Sequence, residues 1–269
     1  MIQKNYQYIA ETLAILGLGE VFNKNLKTGM ELGLDKIPLK AVMTIDPATN
    51  KKVTIEPKIE RGESREAPGQ KSEMYFFNGY NATLSQEGKQ DIKQYFAVFK
   101  QNGLAVDKAA NLLDGRQVYN PLRKDGEEIG RWARLEFSTQ TQSGNYKVLN
   151  TYEDKVGFNL VKTLGGMGVI TASDEEKEKM LKGLRNGDRV SVMIKDAGRT
   201  ERMHIEAAPN LGIIRVFNSQ GDEVRIANKN NKLQVVASPD SDDMIKKAKE
   251  VMEKSQKGNK QQSQGAKVA

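Results

Sequence analysis

Short runs of β-branched and aromatic residues, each closed off by turn-forming residues, constrain this chain more than any other feature. KAVMTI, KKVTIEPKI and EMYFFNGYNATL come first, then DIKQYFAVF, RWARLEF and NYKVLNTY, and finally DRVSVMIK, RMHIEA, GIIRVFN, DEVRIA and KLQVVA. Such runs read as strands. The links DPATN, DAGR, APNLG and NSQGD are turns, STQTQSG is a hairpin turn with Gly144 in it, and RGESREAPGQKS is a longer exposed loop. Connections this short join neighbouring strands head to tail, so antiparallel sheets are expected.

Helical spacing fills the gaps between the strand groups. Ile9, Leu13 and Leu16, then Phe22, Leu26 and Met30, predict a helix pair over about residues 1–33, stopped at Gly17, Gly19 and Gly33. Val106, Ala109, Ala110 and Leu113 predict a short helix ended by Gly115 as a left-handed cap. GFNLVKTL and SDEEKEKMLKGLRNG predict another pair, the second with Ser173 as N-cap, Glu176 completing a capping box and Gly187 ending it. The fold class expected is α+β, antiparallel sheets with short helices on one face. Residues 1–90 form a helix pair plus strands, 91–155 a central strand-helix-hairpin unit, 156–237 a second helix pair plus strands, and 238–269 a helix and a disordered basic tail. The repeated order suggests an internal duplication.

Composition removes several kinds of chemistry. With no cysteine there is no disulfide, thiol catalysis or thiolate metal site, and a single histidine cannot build a multi-histidine zinc centre. His204 lies in RMHIEA, where Met203, Ile205 and Ala207 alternate with His204 and Glu206 as on a half-buried strand, so it is expected to face solvent. LGLGE and LGGMG match neither the dinucleotide fingerprint nor the Walker loop and are expected to be helix ends. No cofactor, metal or catalytic residue is expected. No apolar run reaches bilayer length, and polar and acidic residues interrupt the N-terminal apolar positions, so a cytoplasmic location is expected.

The net charge is +7, but it is unevenly placed. From Lys246 to Ala269 there are seven lysines and two glutamates, a net of +5 that leaves +2 for residues 1–245. Lys246, Lys247, Lys249, Lys254, Lys257 and Lys260 are candidate phosphate contacts, because each lysine neutralising a phosphate releases a condensed counterion. Met244, Ile245, Ala248, Val251 and Met252 form an apolar stripe, a docking face for the body or for a partner protein. Within the body, local clustering must supply any anion-binding surface.

One stretch has such clustering: NLLDGRQVYNPLRKDGEEIGRW. Arg116, Arg123, Lys124 and Arg131, with Arg134 just beyond, surround Trp132, the only tryptophan. Strand alternation places Ala133, Leu135 and Phe137 toward the core and Trp132, Arg134 and Glu136 on the other side. There the indole could meet a guanidinium or stack a nucleic-acid base. Asp125, Glu127 and Glu128 weaken the basic field and favour internal ion pairs. The aromatic runs MYFFNGY and QYFAVF invite comparison with base-stacking strands, but adjacent aromatics must point both ways, and a buried sheet is expected.

The series YFFNGY, AANLLDGRQVY, WARLEF, SGNYKVLNTY and MHIEAAPNLGIIRVFNSQG resembles a family of uncharacterised proteins carried by conjugative and other mobile elements of gut anaerobes. The resemblance spans roughly residues 1–230. It implies a setting, DNA mobility, and supplies no established active site to carry over. The resulting expectation is a non-enzymatic accessory protein of a mobile genetic element with weak or non-specific DNA or RNA binding. A protein-interaction scaffold without nucleic-acid binding is the alternative.

Overall fold

A computed structural model describes residues 2–46, 50–65, 67–196, 199–227 and 232–234. The expected helix and basic tail from 238, with Lys246, Lys247, Lys249, Lys254, Lys257 and Lys260 and the Met244, Ile245, Val251 and Met252 stripe, lie outside the described residues.

The chain opens with α1 (Ile2–Ile15), a 3-10 turn, and α2 (Asn23–Glu31). Ile9, Leu13, Leu16, Leu26 and Met30 are buried, as their helical spacing requires. A four-stranded meander follows: β1 (Ala41–Asp46), β2 (Lys51–Glu63), β3 (Lys71–Ser85) and β4 (Ile92–Ala97), each antiparallel to the last. β2 and β3 run further into the expected RGESREAPGQKS loop than the sequence suggested. β4, expected in the central unit, pairs with β3 and completes this first sheet. Tyr75, Tyr80 and Phe96 are buried, the last two stacked at 5.4 Å, as expected of a buried sheet, but Phe76 and Phe99 of the same runs are 50% and 71% exposed.

The turn after β4 lies earlier than Asn102–Gly103. Lys100 and Gln101 form it with φ of 47 and 61°, and Phe99 and Asn102 close it with two backbone hydrogen bonds of 2.8 and 2.9 Å. Next comes α3 (Val106–Leu113), then β5 (Val118–Tyr119), β6 (Leu122–Lys124), β7 (Glu127–Ile129), β8 (Arg131–Gln140) and β9 (Tyr146–Tyr152). β5, β8 and β9 make a three-stranded sheet, and β6 with β7 a separate two-stranded ribbon. The ribbon turns at Asp125–Gly126, both at positive φ, the hairpin geometry that the Asp-Gly pair favours.

Short helices α4 (Glu153–Val156) and α5 (Leu160–Gly165) lead to β10 (Val169–Ile170) and α6 (Asp174–Asn186). The Ser173 hydroxyl accepts from the Glu176 N–H, and the Glu176 carboxylate reaches back to the Ala172 N–H, one residue before the expected partner. Gly187 ends α6 at φ 87° and Gly115 follows α3 at φ 82°, both as the sequence predicted. β11 (Val190–Asp196), β12 (Arg199–Ala208), β13 (Ile213–Phe217), β14 (Glu223–Ala227) and β15 (Lys232–Gln234) complete a six-stranded antiparallel meander with β10. The fold is α+β. Among the described residues no helix is long and apolar enough to cross a membrane.

Two hydrophobic cores divide the molecule, and β8 is the wall between them. Ala133 and Leu135 face the first core with α1, α2, the first sheet and α3. Trp132 faces the second, with Phe158, Leu184, Ile205 and Val216. Alternation along β8 is therefore real, but it separates one core from another rather than core from solvent.

The LLDGR run ties the two halves together. Asp114 accepts from Lys51 Nζ of β2 at 2.7 Å and from the Arg116 guanidinium, while Arg116 also donates to the Gly187 carbonyl at 3.3 Å. Asn111 donates to the Asn186 carbonyl and to the Asp188 carboxylate, both at 2.8 Å, and Asn186 donates to Asp107 at 2.8 Å. Gln117 bonds Asn210 in the Ala-Ala-Pro-Asn turn. Of the segments quoted above, AANLLDGRQVY and MHIEAAPNLGIIRVFNSQG thus meet at this junction, through Gln117 and Asn210.

Candidate phosphate-binding groove

The five central cations do not converge on one open face. Arg116 is spent at the junction just described. Arg131 donates to the Asn120 carbonyl at 2.8 Å, and Arg134 lies 3.9 Å from Glu136. Arg131 and Arg134 differ by an odd number of residues on one strand, so they leave β8 on opposite faces. Arg123 and Lys124 are exposed on the β6–β7 ribbon, directly across from Glu128 and Glu127.

Trp132 corrects the expected orientation most sharply. It is 1% exposed, its Nε1 donates to Glu153 at 2.8 Å, and its ring meets Tyr119 and Phe158 edge to face at 5.4 and 5.9 Å. An indole held on all sides cannot stack a base without leaving the core. Phe137, expected inward, is 38% exposed and packs on Tyr146 at 5.0 Å.

Cations do converge beside α6. Its buried face, Met180, Leu181 and Leu184, rests on the second sheet. Gly183 permits the close approach: a Cβ there would lie 3.0 Å from a Val190 methyl. Lys179, Lys182 and Asn186 recur at helical spacing on the flank of that face. They border a groove of about 700 Å³ whose far side is Thr171, Ser191, Met193 and Arg202.

The charges in this groove are unequally committed. Glu176 and Asp188, which also line it, are held by the Ala172 N–H and the Asn111 amide. Arg189 is fixed as well: its guanidinium lies 3.8 Å over the Phe217 ring and pairs with Glu206 at 3.2 Å. Glu206 is a buried carboxylate rather than the solvent-facing one expected, because Arg189 and Arg215 cover it from two sides. Hydrogen bonding to Glu223, then the charges of Glu206 and Glu223, raise the Arg215 pKa against the opposing effect of burial. His204, half-buried on the same face, lies across from Ser191 and Phe217.

The side chains of Lys179, Lys182 and Arg202 are exposed and make no hydrogen bond or ion pair among the described residues. Three ungated cations on one groove suit the oxygens of successive phosphates, with lysines acting as point charges and the arginine able to fork. Sequence reasoning missed them because they come from two elements, α6 and β12, with strand β11 between. The helical recurrence of Lys179, Lys182 and Asn186 was the available signal.

Compared with known proteins, the chain matches no family model, no curated protein and no solved structure.

Proposed function

We propose that the protein is a non-enzymatic accessory protein of a mobile genetic element that holds nucleic acid by its phosphate backbone, weakly and without sequence preference, in the α6 groove. The observation that carries this reading is the set of three unpaired cations, Lys179, Lys182 and Arg202, lining one groove. The mobile-element setting follows the resemblance of the motif series. Lysines of the sequence beyond 245 add to the same electrostatic term.

Neutralising three phosphates of duplex DNA gives a slope of about −2.7 in log affinity against log salt. Fluorescence anisotropy on a labelled duplex tests this in the full chain and in a chain ending at Asp243. With Lys179→Glu, Lys182→Glu and Arg202→Glu combined, the salt dependence should flatten by about that amount in both. Unchanged affinity and slope in the triple variant would overturn the assignment.

A further inference from the structure

A second groove lies where α1 meets β3 and the end of β4, on the other half of the molecule. It holds about 560 Å³ and is lined by Tyr8, Ile9, Met74, Phe77, Val98 and Phe99. Lys4 and Lys100 line it too, and no Asp or Glu does. It shares no residue with the α6 groove.

Three observations say what this groove is suited to hold. Its aromatics are unusually open: Phe99 is 71% exposed and Tyr8 45%. Most of its polar groups are out of a base's reach: the Asn5 side chain bonds the Tyr75 backbone at 2.8 and 3.0 Å, the Asn78 carbonyl accepts from Val98 N–H and the Tyr95 hydroxyl, and the Tyr75 hydroxyl, though without a partner, is buried away from solvent. A base, whose edges need partners, finds few there, whereas an apolar side chain needs none. Finally, Phe99 and Lys100 are presented by a turn that is itself strained, because Lys100 and Gln101 both occupy the left-handed region without being glycine. The turn keeps the Lys100 ammonium 5.3 Å from the Phe99 ring centre, so the open aromatic carries positive charge beside it.

We propose that this groove receives an apolar segment of a partner protein whose flanking residues are Asp or Glu. The charge of the lining decides the sign of the partner. A second copy docking groove to groove would set lysine against lysine, and the chain's own segment from Lys246 onward has the same sign as the groove. Apolar side chains fill the slot between Tyr8 and Phe99, and carboxylates meet Lys4 and Lys100.

An array of peptides of about fourteen residues, with Leu at helical anchor spacing and Glu, Gln or Lys elsewhere, tests this on the full chain. Glu-bearing members should bind and Lys-bearing members should not. Phe99→Ala, at an exposed site outside both cores, should weaken the Glu peptides about tenfold or more. Lys4→Glu with Lys100→Glu should invert the preference toward Lys peptides. The proposal falls if no peptide binds, if binding ignores peptide charge, or if Phe99→Ala leaves it unchanged. It falls equally if the groove takes oligo(dT) in a Phe99-dependent way and no peptide, since that makes it a base-stacking surface. Because neither variant touches Lys179, Lys182 or Arg202, failure here leaves the α6 groove standing, and the reverse holds.

Discussion

The stretch around Trp132 and the flank of α6 carry cations at similar density, yet the fold treats them in opposite ways. Around Trp132 three of the five charges are consumed, Arg116 by Asp114 and the Gly187 carbonyl, Arg131 by the Asn120 carbonyl, and Arg134 by Glu136 nearby, while Arg123 and Lys124 stay exposed but face Glu128 and Glu127 across the ribbon. Beside α6 the acids are the committed partners, and Lys179, Lys182 and Arg202 keep their charge for solvent or a ligand. A basic stretch in a sequence is thus a gross quantity. What a ligand meets is the charge left after carboxylates and carbonyls have taken their share.

The largest effect that tests this contrast is at Trp132. If the residue belongs to the second core, Trp132→Ala should cost about 3–5 kcal/mol in urea denaturation, the range for deleting a large buried aromatic. Trp132→Phe keeps part of the packing, and in that variant the affinity for duplex DNA should match the parent once the protein is folded. Lost affinity with intact stability would return Trp132 to the surface and undo the contrast.

The next largest sets the two regions directly against each other. Reversing Lys179, Lys182 and Arg202 should weaken duplex binding ten- to a hundredfold, about 1.4–2.8 kcal/mol. Reversing Arg123 and Lys124, the exposed pair of the β6–β7 ribbon, should change it less than threefold, because Glu128 and Glu127 already oppose them. Equal losses from the two sets, measured at one salt concentration, would mean that binding follows bulk charge and not the groove.

Why the strands, caps and hairpins were legible while the site was not follows from what a one-dimensional pattern contains. Gly115, Gly187, Ser173 and the Gly144 hairpin are local devices, complete within a few residues, and the structure has them where the sequence placed them. Alternation along RWARLEF was equally visible, but it reports only that two faces differ. That the face of Trp132 meets a second core depends on α4, α5 and the second sheet, none of which the strand itself encodes. Arg134 and Glu136 suggested solvent because they are charged, and their side chains are each about a third exposed on the same face of the strand. The α6 groove was hidden for a related reason, since Arg202 joins Lys179 and Lys182 only through the β11–β12 pairing. The Asp125–Gly126 turn, by contrast, could have been read from its dipeptide alone.

The strained turn at Lys100–Gln101 offers a smaller test, of whether the Phe99 groove is kept at a cost in stability. Asn-Gly in place of Lys100-Gln101 suits positive φ at both positions and should stabilise the protein by about 1 kcal/mol, a rise of a few degrees in Tm. The same change removes the Lys100 charge, so Glu-peptide binding should fall as stability rises. A variant that gains nothing in Tm would show that the turn is relaxed as it stands.

The smallest expected effect lies at the border of the two regions, on Tyr119. Its ring packs on Trp132 and its hydroxyl donates to Glu128 at 3.1 Å, so it links the core to the ribbon that carries Arg123 and Lys124. Burial first, then the hydrogen bond to Glu128, push its pKa from the ordinary 10.0 up to about 12, against the opposing pull of Arg185. The folded state therefore holds this proton more tightly than the unfolded chain does. The stabilisation is fully present below pH 10.0 and is lost as pH rises from there to about 12, because the unfolded chain releases its proton first. Tyr119→Phe keeps the ring contact and removes the titration, so its urea midpoint should fall less steeply across that window. Part of the fall should remain, since burial also raises Tyr75, Tyr80 and Tyr95. A Tyr119→Phe protein that declines as steeply as the parent would place the hydroxyl in solvent, and with it the ribbon would lose its anchor to the core.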